Sequence, residues 1–169
     1  MRRWRSRAAS GFSLFARIED VHFFTGQVNF PDNSMPGYSG IPLPKKLGIK
    51  PGFRVRLRNA PAEVCAELSD ALAECNMSEQ KAPLDFAMLF SQSRAELAKE
   101  FARISRQLAP AGMLWVSWPK KSSGVKTDLD ENVVRGIGLD AGLVDVKVCA
   151  VTNVWSGLKF VRRLKDRTK

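Results

Sequence analysis

Leu84-Asp85-Phe86-Ala87-Met88-Leu89-Phe90 is an apolar run that a single charge interrupts. Such a run is typical of a strand that helices cover on both faces, as in a parallel sheet. Ser93 and Glu96 follow at the spacing of a helix capping box. The apolar stripe of the helix that we expect there consists of Leu97, Phe101, Ile104 and Leu108. Residues 84–108 therefore predict a buried strand followed by a helix.

A similar strand and helix precede this unit. Lys50-Pro51-Gly52 is a turn signal, and Phe53-Arg54-Val55-Arg56-Leu57 alternates apolar and polar residues as a half-buried strand does. Asn59 lies just before Pro61, which places a proline in the first turn of the helix that we expect next. At most one short strand, near residues 75–77, follows this helix. The apolar face of the helix is predicted to consist of Val64, Leu68, Ala71 and Leu72.

A third strand and helix follow the central pair. Pro110-Ala111-Gly112 is predicted to end the second helix, and Met113 to Trp118 forms another short apolar strand. Either Thr127 or Asp128 is expected to cap a third helix. The apolar positions of that helix are Leu129, Val133, Val134 and Ile137.

The C-terminal part of the chain changes character. Leu143–Val151 and Val154–Val161 are two strand-like runs joined only by Thr152-Asn153, which predicts an antiparallel hairpin. Asp145 and Lys147 alternate along the first of these strands. We therefore expect them on one face of the strand, in edge ion pairs that contribute little stability.

The order strand, helix, strand, helix, strand, helix, hairpin decides the fold class. Parallel neighbours need helical crossovers, whereas antiparallel neighbours do not. The sequence thus predicts an α/β fold, a Rossmann-like and mostly parallel sheet with helices on both faces and a C-terminal antiparallel hairpin. A length of 169 residues with 44% apolar content fits one domain. We expect a poorly ordered extension over 1–35, the domain over 36–163 and a basic tail over 164–169.

The charge is unevenly distributed. The chain has 27 Lys and Arg against 17 Asp and Glu, a formal net charge of +10. Seven of these ten excess charges lie in residues 1–34 and 159–169. A weak, non-specific nucleic-acid contact through the basic C-terminus is one interpretation, and a solvated tail is the other. The basic side chains of this end are Lys159, Arg162, Arg163, Lys165, Arg167 and Lys169.

Several classes of protein are excluded by the residue types. No apolar run approaches the length of a membrane helix, and Cys65, Cys75 and Cys149 have no metal-ligand spacing. We therefore expect a cytoplasmic protein without a metal site. No nucleophile elbow or phosphate-binding loop is present either, so catalytic residues stay unassigned.

Short phrases of sequence carry a more specific resemblance. They are Gly37-Tyr38-Ser39-Gly40, Lys45-Lys46-Leu47-Gly48-Ile49-Lys50-Pro51-Gly52, Trp118-Pro119-Lys120, Ser123-Gly124, Thr127-Asp128-Leu129, Val146-Lys147-Val148-Cys149-Ala150-Val151 and Trp155-Ser156-Gly157-Leu158-Lys159-Phe160-Val161. Together, over residues 36–163, they resemble the bacterial domain of unknown function 3052. The order of elements is similar to that of the Rossmann-like methyltransferases that use S-adenosylmethionine. The resemblance implies fold and kinship, and no activity comes with it.

The turn after the first strand is unusual for a nucleoside-binding Rossmann fold. Such folds have a glycine-rich turn there, and an acidic residue after the next strand binds the ribose. Leu57-Arg58-Asn59-Ala60-Pro61-Ala62-Glu63 contains no glycine, and Glu74 and Glu79 are weak candidates for the acidic residue. We expect the side chains of Asn59 and Ala60 to crowd a nucleoside. The candidate ligand-binding residues at this edge of the sheet are Tyr38, Ser39, Asn59, Ser91, Trp118 and Lys120.

Two functions remain open, and whether the protein is an enzyme is open with them. The first is a non-catalytic or degenerate Rossmann-like module that binds a small anionic ligand or a protein partner at this edge. Lys120 and Lys121 would hold the anionic group, with the hydroxyls of Ser122 and Ser123 as donors. The alternative is a methyltransferase that binds S-adenosylmethionine through an atypical, glycine-poor first turn.

Overall fold

A computed structural model of the chain describes residues 40–77 and 83–167. In this part of the chain, helices pack on a mixed sheet. The helices are α1 (Leu43–Leu47), α2 (Ala62–Ala73), α3 (Arg94–Ser105) and α4 (Glu131–Asp140), with short 3-10 turns at Lys121–Ser123 and Leu164–Asp166. The strands are β1 (Arg54–Arg58), β2 (Asn76–Met77), β3 (Leu84–Phe90), β4 (Leu108–Pro119), β5 (Leu143–Ala150) and β6 (Trp155–Arg162).

The strand order confirms the predicted fold class. The sheet runs β2-β1-β3-β4-β6-β5, with parallel pairing among the first four strands. β6 is antiparallel to both β4 and β5. Helical crossovers join the parallel strands and a tight turn joins the last two, as the spacing of the sequence predicts. The result is a Rossmann-like, methyltransferase-like sheet that ends in an antiparallel hairpin.

The continuous apolar run of β3 is explained by two cores, one on each face of the sheet. Phe86 and Met88 pack with α1 and α2, whereas Ala87 and Leu89 pack with α3 and α4. All four side chains have no exposed surface. The one charged residue of the run, Asp85, pairs with Arg54 at 2.8 Å. The strand assignment of this segment is therefore confirmed over the predicted residues.

The predicted end of the second helix is wrong. α3 ends at Ser105, and Leu108 begins β4 instead of completing the helical stripe. Pro110-Ala111-Gly112 lies inside β4 as an irregularity, because the pairing shifts between Leu84 and Phe86. A side chain at Gly112 would collide with the carbonyl oxygen of Leu84. The three residues thus mark a bulge that fits tightly against β3, and proline is tolerated at such a position.

A second irregularity corrects the prediction for Asp145 and Lys147. Asp145 is paired with Phe160, but Lys147 is paired with Lys159, the preceding residue of β6. A one-residue bulge at Val146 therefore places the two charged side chains on opposite faces of the sheet. They form no ion pair with each other, and Asp145 binds Arg135 of α4 at 2.9 Å.

Some predictions fall outside the described residues. The 1–35 extension and two candidate site residues, Tyr38 and Ser39, are among them. Within residues 40–77 and 83–167, no helix has the length and apolar content to cross a membrane.

The packing of α4 on β6 leads to a stability prediction. A methyl group at Gly138 would overlap the buried ring of Phe160, which already packs edge-on against Phe101 at 5.2 Å. We expect Gly138→Ala to lower the free energy of unfolding by about 1–3 kcal/mol through overpacking. Chemical denaturation followed by circular dichroism measures this.

Gly136 is the matched control in the same helix. A methyl group there would meet nothing within 4 Å. Gly136→Ala should therefore raise the free energy of unfolding by about 0.5–1 kcal/mol, because glycine weakens a helix interior. Equal stability of the two variants would contradict the described packing of Phe160.

Candidate functional site

The strand order locates the crevice in which Rossmann-like folds bind ligands. From β1 the chain crosses to β2 on one side, and from β3 it crosses to β4 on the other. Ligands in open α/β sheets bind beyond the carboxyl ends of the strands where the order reverses. Here that place lies between the ends of β1 and β3, which are followed by Asn59 and Ser91.

Asn59 gives the end of β1 the shape of a glycine turn while retaining a side chain. Its φ is +54°, the one positive φ at a non-glycine residue in the described part of the chain. Asparagine tolerates this left-handed conformation better than most residues. Its side-chain Nδ2 lies 3.4 Å from the carbonyl oxygen of Phe90, at the end of β3. The side chain therefore reaches across the mouth of the crevice.

Glu96 connects Asn59 to Ser91. Nδ2 of Asn59 donates to Oε1 of Glu96 at 3.3 Å, and Oγ of Ser91 lies 3.4 Å from the other carboxylate oxygen. Each of these hydrogen bonds is long, and several of them together join Asn59, Glu96 and Ser91. Ser91 is buried, and its hydroxyl also bonds the backbone of Ser93. Two candidate residues are thus brought together, and both lie against a carboxylate.

The predicted capping box is wrong, because Glu96 takes part in this cluster. Ser93 makes no side-chain capping bond to α3. The first backbone N–H of the helix, that of Arg94, is instead bound at 2.7 Å by Asp128, which lies 34 residues further along the chain. A short polar stretch in the sequence does not reveal that a distant carboxylate caps the helix.

The loop that contains Asp128 also begins α4 differently from the prediction. Neither Thr127 nor Asp128 caps α4; Asp130 does so, accepting from the N–H of Val133 at 2.8 Å. Thr127 donates to the carbonyl oxygen of Gln92 at 2.7 Å. The loop is therefore fastened over the start of α3, at the same edge of the sheet as the crevice.

Trp118 and Lys120 lie in a different place, at the carboxyl end of β4. They line a cleft of about 310 Å³ together with residues from the start of α4 and from β6. Trp118 is only 5% exposed and forms its floor. The remaining lining residues are Lys121, Leu129, Asp130, Glu131, Asn132 and Ser156.

Most charges in this cleft already have partners. The ammonium of Lys120 donates to the carbonyl oxygen of Thr152 at 2.6 Å, which fixes it to the hairpin turn. Glu131 forms an ion pair with Arg135 at 2.6 Å, and Asp130 caps α4. Lys121 is exposed and makes no hydrogen bond or ion pair with the described part of the chain. Lys121 is therefore the one ammonium of the cleft that no hydrogen bond or ion pair with the described residues holds in place.

Of the two serines predicted as anion donors, Ser123 is already engaged by the backbone. Oγ of Ser123 donates to the carbonyl oxygen of Lys120 at 2.6 Å and accepts from the N–H of Val125. In addition, Glu74 cannot serve as the ribose-binding residue, since it precedes β2 and its carbonyl oxygen binds Gly52 at the amino edge of the sheet. Glu79 lies outside the described residues.

Metal ligands do not cluster in the described part of the chain. Within residues 40–77 and 83–167, no group of three or more His, Cys, Asp and Glu side chains has the proximity to hold a metal ion. One buried polar atom, Oγ of Ser117, has no hydrogen-bond partner in the same part of the chain.

Comparison with known proteins shows no family for this chain. No family model and no curated protein sequence matches the chain, so kinship with domain 3052 stays a prediction. Similar solved structures include a magnesium protoporphyrin IX methyltransferase from Synechocystis, with 12% identity, 71% of this chain and 78% of that chain covered, and a TM-score of 0.49. A SAM-dependent methyltransferase from Aquifex aeolicus has 15% identity, 69% and 85% coverage and a TM-score of 0.47. A ribosomal protein L11 methylase from Lactobacillus delbrueckii has 8% identity, 72% and 75% coverage and a TM-score of 0.45.

The long-range cap of α3 is open to a direct test. We expect Asp128→Ala to lower the free energy of unfolding by about 1 kcal/mol, because a helix N–H loses its acceptor. Ser93→Ala, at the position where the sequence pattern puts the cap, should change it by less than about 0.5 kcal/mol. Urea denaturation of both variants gives the comparison, and a larger loss for Ser93→Ala would contradict the assignment.

Proposed function

We propose that this chain is a non-catalytic, Rossmann-like binding module whose nucleoside crevice is closed by its own side chain. The observation that supports this most is the position of Asn59, which reaches from β1 to the end of β3 and to Glu96. A nucleoside in this crevice presses against the backbone of the first turn, which is why glycine is usual there. The Cβ and the side-chain amide of Asn59 occupy the place where a nucleoside would make this contact. S-Adenosylmethionine therefore does not fit the residues present.

The module is proposed to bind a small anionic ligand in the cleft beyond β4. Lys121 supplies the available charge, while the carboxylates of Asp130 and Glu131 are engaged by a helix N–H and by Arg135. The amino end of α4, a helix of ten residues, adds a favourable potential for an anion. The indole of Trp118 and the methyl groups of Leu129 give the cleft an apolar wall. A protein partner that presents an acidic side chain would occupy this cleft through the same interactions.

The alternative is methyl transfer from S-adenosylmethionine. The observation that favours it is the strand order itself, with its reversal beside β1 and its terminal hairpin, which is the arrangement of such enzymes. The positive φ of Asn59 also keeps the backbone course of a glycine turn. Under this alternative, the side chain of Asn59 swings away from Glu96 when the cofactor binds.

Titration of the 15N-labelled chain followed by NMR separates the two candidates. With inorganic phosphate, we expect saturable shifts of the amides of Lys121, Glu131 and Asn132, because these line the cleft. With S-adenosylmethionine at millimolar concentration, we expect no shift at Asn59, Ala60 or Ser91. Saturable shifts at those three amides would overturn the proposal that the crevice is closed and would favour the alternative.

Two variants with the same change in charge control the phosphate titration. Lys121→Gln removes the available cation of the cleft, and Lys126→Gln removes an exposed cation outside it. The phosphate response should disappear in the first variant and persist in the second. An equal loss in both would mean that phosphate responds to net charge and not to the cleft.

A further inference from the structure

Two lysines face each other across the C-terminal hairpin. Lys147 of β5 and Lys159 of β6 are directly paired in the antiparallel register, so their side chains project from the same face of the sheet. Like charges in directly opposite positions destabilise a sheet. The one-residue bulge at Val146 creates this pair, since without it Lys147 would project from the other face.

No carboxylate neutralises this pair within the described residues. The ammonium of Lys159 is half-buried and makes no hydrogen bond or ion pair there. Burial lowers its pKa, and the positive charges of Lys147, Arg167 and Lys50 lower it further. Lys147 donates to the carbonyl oxygen of Lys46 at 2.8 Å, a neutral acceptor that leaves its charge uncompensated. Asp145, the nearest acidic residue in sequence, lies on the opposite face with Arg135.

More positive charges continue along the same face. Cys149 lies two residues after Lys147 and is paired with Gly157. Burial raises the pKa of its thiol, and the charges of three lysines, two of them outside β5, oppose the rise. We call the whole set the basic face. Its members are Lys46, Lys50, Lys147, Lys159 and Arg167.

We propose that the basic face binds the phosphodiester backbone of a nucleic acid. An uncompensated pair of cations, one of them half-buried, breaks the ordinary rule of cross-strand pairing, and a ligand with closely spaced negative charges restores the balance. The phosphates of a phosphodiester backbone carry such closely spaced negative charges. The formal net charge of +10 favours the same class of partner over long range.

Recognition by this face is independent of base sequence. Stacking on bases requires exposed aromatic rings. The two tryptophans on this face of the sheet, Trp115 and Trp155, are 0% and 9% exposed and belong to the core. The contacts are therefore made with phosphates, and binding weakens steeply as salt rises.

The proposed nucleic-acid contact lies on the sheet and not on a free C-terminal tail. The guanidinium of Arg162 donates to the carbonyl oxygen of Ser105 at 2.9 Å, and Nε of Arg167 donates to the carbonyl oxygen of Arg162 at 3.0 Å. These residues are built into the end of the sheet. The charges of Lys159 and Arg167 thus act together with those of β5 and α1 and not as a free tail.

The test is fluorescence anisotropy of the full chain with a labelled 20-nucleotide RNA and a labelled 20-base-pair DNA, each in two unrelated sequences. We expect binding to both sequences alike. With about three phosphates engaged, affinity should fall about 40-fold for the duplex DNA and about 20-fold for the single-stranded RNA between 50 and 200 mM salt. The double variant Lys147→Gln/Lys159→Gln should lower the slope of log K against log salt by about 2. Comparison of the RNA and the DNA shows which duplex or strand is the better source of phosphates.

The control is Lys99→Gln/Lys126→Gln, which removes two exposed lysines outside the basic face. It should keep the wild-type slope, while Lys147→Gln/Lys159→Gln should melt at the same temperature as the wild type or higher, since repulsion is relieved. An equal loss of affinity in both variants would overturn the proposal in favour of unspecific attraction by net charge. Wild-type affinity in Lys147→Gln/Lys159→Gln, or binding to phosphatidylglycerol vesicles with none to the oligonucleotides, would overturn it as well.

Discussion

The left-handed turn at Asn59 is the constraint on which the ligand chemistry of this fold depends. A Rossmann-like sheet needs a sharp bend between β1 and α2, and a residue with positive φ provides it. In a nucleoside-binding fold this residue is a glycine, so the bend is open. Here the same backbone course carries an amide that bonds Phe90 and Glu96. The backbone course of a glycine turn is thus present together with a side chain that contacts the end of β3 and the first turn of α3.

Two bulges lie in the strands that form the two surfaces proposed here for ligand binding. The irregularity at residues 110–112 lies near the start of β4, and the far end of this strand, with Trp118, lines the cleft beside α4. The bulge at Val146 turns Lys147 toward Lys159 and gathers positive charge on the face that carries α1. The pairing of Lys147 with Lys159 thus arises from one local departure from regular pairing.

The sequence predicts the layers of this fold well, because burial on both faces leaves a signature in β3 and helical spacing leaves one in α3. The absence of glycine from the first turn is also directly visible in the sequence. Prediction from the sequence fails where partners are distant in the chain. The polar pattern at Ser93 and Glu96 fits a local cap, yet Asp128 supplies the acceptor and Glu96 binds Asn59 and Ser91. Bulges escape prediction for the same reason, because register depends on the neighbouring strand. The pairing of Lys147 with Lys159 could not be predicted without knowing this register.

Calorimetric titration of S-adenosylhomocysteine into the wild-type chain and into Asn59→Gly tests the central claim most directly. Glycine keeps the left-handed turn and removes the side chain that crosses the crevice, so both chains should fold alike. We expect no heat of binding from the wild type at millimolar ligand and measurable binding by Asn59→Gly. Micromolar binding by the wild type, unchanged or weakened in Asn59→Gly, would contradict the claim that Asn59 closes the crevice.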